Sequence, residues 1–148
     1  MMEAYIKTGI IINAPISAVW DALVNPELTE KYMFGCRVHS AWTPGATVDW
    51  VGTADGRNVT FVTGYLIEMV PGALLVYSVV DPNAPYADNK KDHLIVSCEL
   101  SQIPEGTVLS VSQGDYTNVA DGAKRYGHGV DGWDQLLQIL KKVVEQDV

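Results

Sequence analysis

The chain has 148 residues, 47% of them apolar and 19% charged, with a formal net charge of −8. That length and balance fit one soluble domain over residues 1–148, large enough to need neither disulfide nor metal to hold it. The acidic surplus repels phosphate backbones and anionic lipid, so nucleic acid and membrane surfaces are not expected partners.

The opening, MMEAYIKTGIIINAP, has no basic n-region and no long apolar core, so no secretory signal is expected. No stretch approaches the roughly 20 apolar residues of a membrane span, and the cytoplasm is the expected compartment. Ala4 to Ile12, rich in Ile, is predicted to be a strand. Asn13-Ala14-Pro15 ends it, and Pro15 suits the first turn of a helix. The segment ISAVWDALV then places Ile16, Val19, Trp20 and Leu23 on one helical face. Asn25 as N-cap and Pro26 as first helical residue start a second short helix, ELTEKY.

The period then changes to that of strands. Candidates are Cys36 to Ala41, Ala46 to Gly52, Asn58 to Val70, Ala73 to Val80, His93 to Ile103 and Thr107 to Tyr116. Pro44-Gly45, Asp55-Gly56, Pro71-Gly72 and Pro104-Glu105-Gly106 punctuate them, at the spacing of antiparallel hairpins. Leu94, Val96, Cys98 and Leu100 alternate against His93, Ser97 and Glu99, and Leu109, Val111 and Gln113 against Ser110 and Ser112, so one sheet face is dry. Asp81 to Asp92 is a longer, proline-bearing connection with an exposed-looking Tyr86, the kind of loop that carries function. Both cysteines, Cys36 and Cys98, are too few for a disulfide framework, and Cys98 reads as a small buried residue.

From Asn118 to Glu145 the apolar period is helical. Tyr126, Val130, Trp133, Leu137, Leu140 and Val144 form one stripe, widened by Leu136, Ile139 and Val143. Gly127, Gly129 and Gly132 interrupt it. Either they mark a bend, or room left between helix and sheet, or the helix begins only near Val130. The order strand, two short helices, six strands, long helix predicts an α+β fold. Its simplest form is a curved antiparallel sheet of about seven strands gripping the C-terminal helix.

This layout resembles the helix-grip superfamily, also called START-like or SRPBCC, to which the birch-pollen allergen belongs. Within it the chain is similar to the domain family named after the activator of the heat-shock-protein-90 ATPase. The matching pieces are IINAPISAVWDALVNPE, GYLIEMVPGALLVYS, SCELSQIPEGTVLSV, and Gly132-Trp133 followed by LLQIL, in that order along nearly the whole chain. The glycine-rich start of the last helix departs from the pattern. The resemblance implies a cavity between sheet and helix but no fixed catalytic set.

The expected function is therefore binding of a small hydrophobic or aromatic molecule in that cavity. Trp42, Trp50, Phe61, Tyr77, Gln113, Tyr126, Val130 and Trp133 are the candidate lining, each against the plainer reading that it fills the core. A buried Tyr126 hydroxyl or Gln113 amide would need a partner. Strand parity leaves open whether Tyr65 or Leu66 faces inward. No cofactor or metal is expected: His39, His93 and His128 are far apart, and no phosphate-binding loop or nucleophile motif occurs. The resemblance supplies two alternatives, a chaperone-regulating protein-interaction module and a cyclase- or hydratase-like enzyme. The first has against it that no second, N-terminal domain of the kind expected in a full cochaperone is seen. A monomer or a homodimer fits equally.

Overall fold

The computed structural model describes residues 2–146. Its strands are β1 (Tyr5–Ile12), β2 (Arg37–Ser40), β3 (Thr47–Ala54), β4 (Arg57–Val70), β5 (Leu74–Val79), β6 (Leu94–Ile103) and β7 (Gly106–Gly114). They form one sheet in the order β1-β7-β6-β5-β4-β3-β2, every pair antiparallel. Helices α1 (Ile16–Val24) and α2 (Pro26–Tyr32) follow β1, and α3 (Gly122–Gln146) closes the chain. This is the α+β helix-grip architecture.

Local chemistry sets the joints. The Asn25 side chain accepts from the Glu27 N–H at 3.0 Å with Pro26 next, so α2 begins where the sequence predicts. Pro15 lies at the cap of α1, one place before its first turn. The strand from Thr107 stops at Gly114, and Tyr116 falls in a 3-10 turn, Tyr116–Asn118. The long helix starts at Gly122, not near Val130.

Curvature comes from β4. Two bulges break its register, leaving Phe61 unpaired opposite β3 and Ile67 unpaired opposite β5. Each extra residue bends the strand and adds twist. Between them Gly64 passes so close to β5 that a Cβ would meet Ser78 O at 1.8 Å, and only glycine fits. Leu66 turns into the core while Tyr65 faces the other way, over His93 at 5.6 Å between ring centroids.

The core lies on the concave face. Val48, Trp50, Leu66, Leu75, Tyr77, Val96, Cys98, Leu109 and Val111 line the sheet, and Val19 and Ala22 of α1 close one side. Across it α3 lays Leu136, Leu137, Leu140 and Val144. At the far end of this contact Glu145 accepts from the Asn13 N–H at 2.8 Å, and Lys141 Nζ donates to Ile11 O at 2.7 Å, tying α3 to the edge strand.

Candidate functional site

The expected hollow beneath α3 is filled. Trp50, Tyr77, Cys98, Trp133, Leu136 and Leu140 surround a space of only about 20 Å³, close to what one water needs. Large side chains from both layers meet there, with Trp50 and Tyr77 tilted against each other at 5.1 Å. Burial pushes the Cys98 thiol up to about 12, and raises Tyr77 and Tyr32 well above the usual phenol range. These groups are neutral at pH 7, so Cys98 offers no thiolate nucleophile.

Space opens instead where the first half of α3 runs past the strand ends. A pocket of about 260 Å³ lies there, lined by Val62, Val79, Leu94 and Gly129 and by the polar side chains of Asp81, Gln113, Arg125 and His128. A second, more polar groove of about 350 Å³ runs on the other side of α3, between Ile6 to Thr8 and Val130 to Asp134.

Gln113 joins the filled interior to the open pocket. Strand parity puts it on the same face as Leu109 and Val111, and its register partners are Ile6 and Val96. The Trp133 indole N–H donates to Gln113 Oε1. An indole nitrogen can only donate, so the amide oxygen faces Trp133 and its NH2 points away. Among the described residues that NH2 has no hydrogen-bond partner.

Arg125 is fixed by neutral groups. Its Nη1 donates to Asp92 O at 2.7 Å and to Ala120 O at 3.0 Å, and the guanidinium carbon stands 4.8 Å from the Tyr86 ring centre. These contacts bind the 81–92 connection to the start of α3. Tyr86 is accordingly half-buried rather than exposed. His93 pins the same connection: Nε2 donates to Ala87 O at 2.8 Å, and Nδ1 is hydrogen-bonded with the Ser78 hydroxyl at 2.9 Å. Ser78 is fully buried, so this Ser–His pair is a structural tie and not a nucleophile with its base.

Of the eight predicted residues, Trp50, Tyr77 and Trp133 converge, but around the filled interior. Gln113 reaches the open pocket. Tyr126 instead packs edge-on against Tyr116 at 5.2 Å. Val130 is 44% exposed and borders the outer groove. Phe61, the bulge residue, is 45% exposed with its ring over Gly52. Trp42 sits at φ 56° in the β2–β3 turn, packed on the core margin.

Sequence reasoning missed Arg125, Val62, Val79 and Leu94 as pocket residues, and weighed His128 only for catalysis. For Leu94 the signal was present, in its parity with Val96 and Cys98. It also missed Tyr116, which is 1% exposed and whose hydroxyl has no partner among the described residues. Burial raises that phenol to about 12, against the lowering effect of nearby Arg125. Among the described residues no three His, Cys, Asp or Glu side chains gather as a metal site would require. No helix there is long and apolar enough to cross a membrane.

Residues 13–145 match the family model described as Activator of Hsp90 ATPase homolog 1-like protein. The chain belongs to this family. No curated protein matches the sequence. Among solved structures it is similar to ChR145 from Cytophaga hutchinsonii, at 29% identity over 99% of this chain and 97% of that one, with a TM-score of 0.77. MLL2253 from Mesorhizobium loti shares 22% identity over 96% and 97% of the two chains, TM-score 0.75. DynU16, of the dynemicin biosynthetic locus, shares 16% identity over 97% of this chain and 48% of its own, TM-score 0.76. The last two likenesses concern the fold. The helix-grip assignment thus rests on the family match and the sheet topology together.

Proposed function

We propose that this member of the Activator of Hsp90 ATPase homolog 1-like family binds a small, largely apolar molecule at the mouth of the sheet–helix cleft. The observation that carries the reading is the pocket of about 260 Å³ with apolar walls and convergent polar groups from Gln113 and Arg125. Ligand sites typically occupy roughly 300–1,000 Å³, so a ligand of modest size fits. The interior beneath residues 136–146 contributes packing and no binding volume.

A thermal-shift screen with small aromatic and aliphatic compounds tests this. A bound ligand at about 100 times its Kd should stabilise the fold by about 2.7 kcal/mol. Val62→Phe, which fills the pocket from one wall, should abolish the shift while leaving the unliganded melting temperature near wild type. A ligand that still stabilises the Val62→Phe protein as strongly places binding elsewhere and overturns the reading.

One observation favours a second reading, regulation of a protein partner. Phe34 is 69% exposed, held out of the core by the left-handed backbone of Phe34 (φ 55°) and Gly35 (φ 85°). The family's description names the partner to try. Adding the chain to an Hsp90 turnover assay should change the rate, and Phe34→Ser should remove the change. An unaltered rate with saturating wild-type protein sets this reading aside.

A further inference from the structure

Arg125 lines the mouth pocket and forms no ion pair with a carboxylate of the described residues. Its contacts are two carbonyls and an aromatic face. No carboxylate of the described residues lies within ion-pair distance, although the chain carries a net charge of −8. Two acidic side chains of this region hydrogen-bond to neutral donors. Asp92 accepts from the Ala120 N–H at 2.9 Å and from Asn89 Nδ2 at 2.9 Å, and Asp81 accepts from the Asn83 N–H at 2.8 Å. A guanidinium does not lose its proton, so a half-buried one beside apolar walls keeps a full charge at a cost until an anion meets it.

The donor geometry is that of an incomplete fork. Both hydrogens of Nη1 are used on Asp92 O and Ala120 O. The edge formed by Nε and Nη2 remains, and two parallel N–H bonds from such an edge match a carboxylate. The free NH2 of Gln113 and the exposed imidazole of His128 reach the same pocket. We infer that the mouth pocket takes a small organic monocarboxylate. Its carboxylate pairs with Arg125 and Gln113, and its apolar body lies along Val62, Val79 and Leu94. This inference rests on the pocket reading above and adds the ligand's class to it.

The test is a titration of the full chain, labelled with nitrogen-15, with hexanoate, benzoate and phenylacetate, each against its own amide. The Arg125 Nε–H, Gln113 side-chain amide and Trp133 indole signals are followed. The acids should shift all three saturably and bind about ten-fold more tightly than the amides, the worth of one charge-assisted bond. That preference should shrink in high salt, and should vanish in Arg125→Gln. Because Arg125 also holds the 81–92 connection, the salt series on wild-type protein gives the same answer without a variant. Acids and amides that bind equally overturn the carboxylate assignment and leave the pocket standing. So do acids whose shifts fall only on surface lysines. If none of the six compounds moves any pocket signal, the pocket reading falls and takes this inference with it.

Discussion

The two halves of α3 carry one apolar stripe and do different things with it. In residues 136–146 the stripe is Leu136, Leu137, Leu140 and Val144, all buried against the sheet. In residues 122–135 the only buried position is Gly122, while Tyr126 and Trp133 are half-buried and Val130 is exposed. The space beneath the first half mentioned is about 20 Å³, and the pocket beside the other is about 260 Å³. A helical period therefore says which face looks toward the sheet. It does not say whether enough side chain and enough strand are present to close the gap. Where the face carries leucines the layers interlock, and where it carries Tyr126, Val130 and Trp133 it stays only partly covered.

The sharpest way to break this comparison is to cut the stripe in each half. Leu140 is 1% exposed, and Leu140→Ala should cost about 2–5 kcal/mol through lost burial and a residual cavity. Val130→Ala, in the same stripe but exposed, should change stability by about 0.5 kcal/mol or less. Urea unfolding of both variants measures the pair. Equal losses would mean that the first half of α3 is packed as tightly as the second.

A finer cut uses the glycines. A Cβ on Gly129 would meet Tyr116 Oη at 2.6 Å and Ile6 Cδ1 at 2.8 Å, and Tyr116 is buried with little room to yield. Overpacking of that kind costs about 1–3 kcal/mol, against about 1 kcal/mol gained in helix propensity. Gly129→Ala should therefore lose stability. Gly127 and Gly132 have nothing within 4 Å of an added Cβ. Gly127→Ala and Gly132→Ala should each gain up to about 1 kcal/mol. Three glycines that look alike in sequence thus separate into one contact and two open positions, by melting temperature alone.

That separation shows where the sequence was legible. Turns were, because Pro44-Gly45, Asp55-Gly56 and Pro71-Gly72 are local chemistry. The start of α2 was, because Asn25 acts on its own neighbours. The inward face of β6 and β7 followed from parity, which also placed Gln113 correctly. Parity left β4 open between Tyr65 and Leu66, and the bulges at Phe61 and Ile67 have no marker in composition. It could not find Arg125 either, whose partners Asp92 and Tyr86 come from a connection more than thirty residues earlier. The hollow was expected from resemblance, and the size of Trp50, Tyr77 and Trp133 together closes it.

The smallest effect concerns how the packed half of α3 is fastened to the sheet edge. Glu145 accepts from Lys141 Nζ at 2.5 Å and from the Asn13 N–H at 2.8 Å. The Lys141 hydrogen bond, then the Asn13 N–H, hold its carboxyl below the usual glutamate range. A carboxyl whose folded pKa is depressed lends stability that is fully present above its unfolded pKa and is lost as pH falls through the folded one. Glu145→Gln should cost about 0.5 kcal/mol or less at neutral pH, because the pair is partly solvated. It should also flatten part of the acid limb of the stability curve. The direct reading is the Asn13 amide signal, which should titrate in wild type with a midpoint below that of an ordinary glutamate. The Arg125 Nε–H signal, on a guanidinium with no ion pair to a carboxylate of the described residues, should not follow that midpoint. If the Asn13 signal stays flat, Glu145 does not hold the edge strand, and the firm half of α3 is held by its leucines alone.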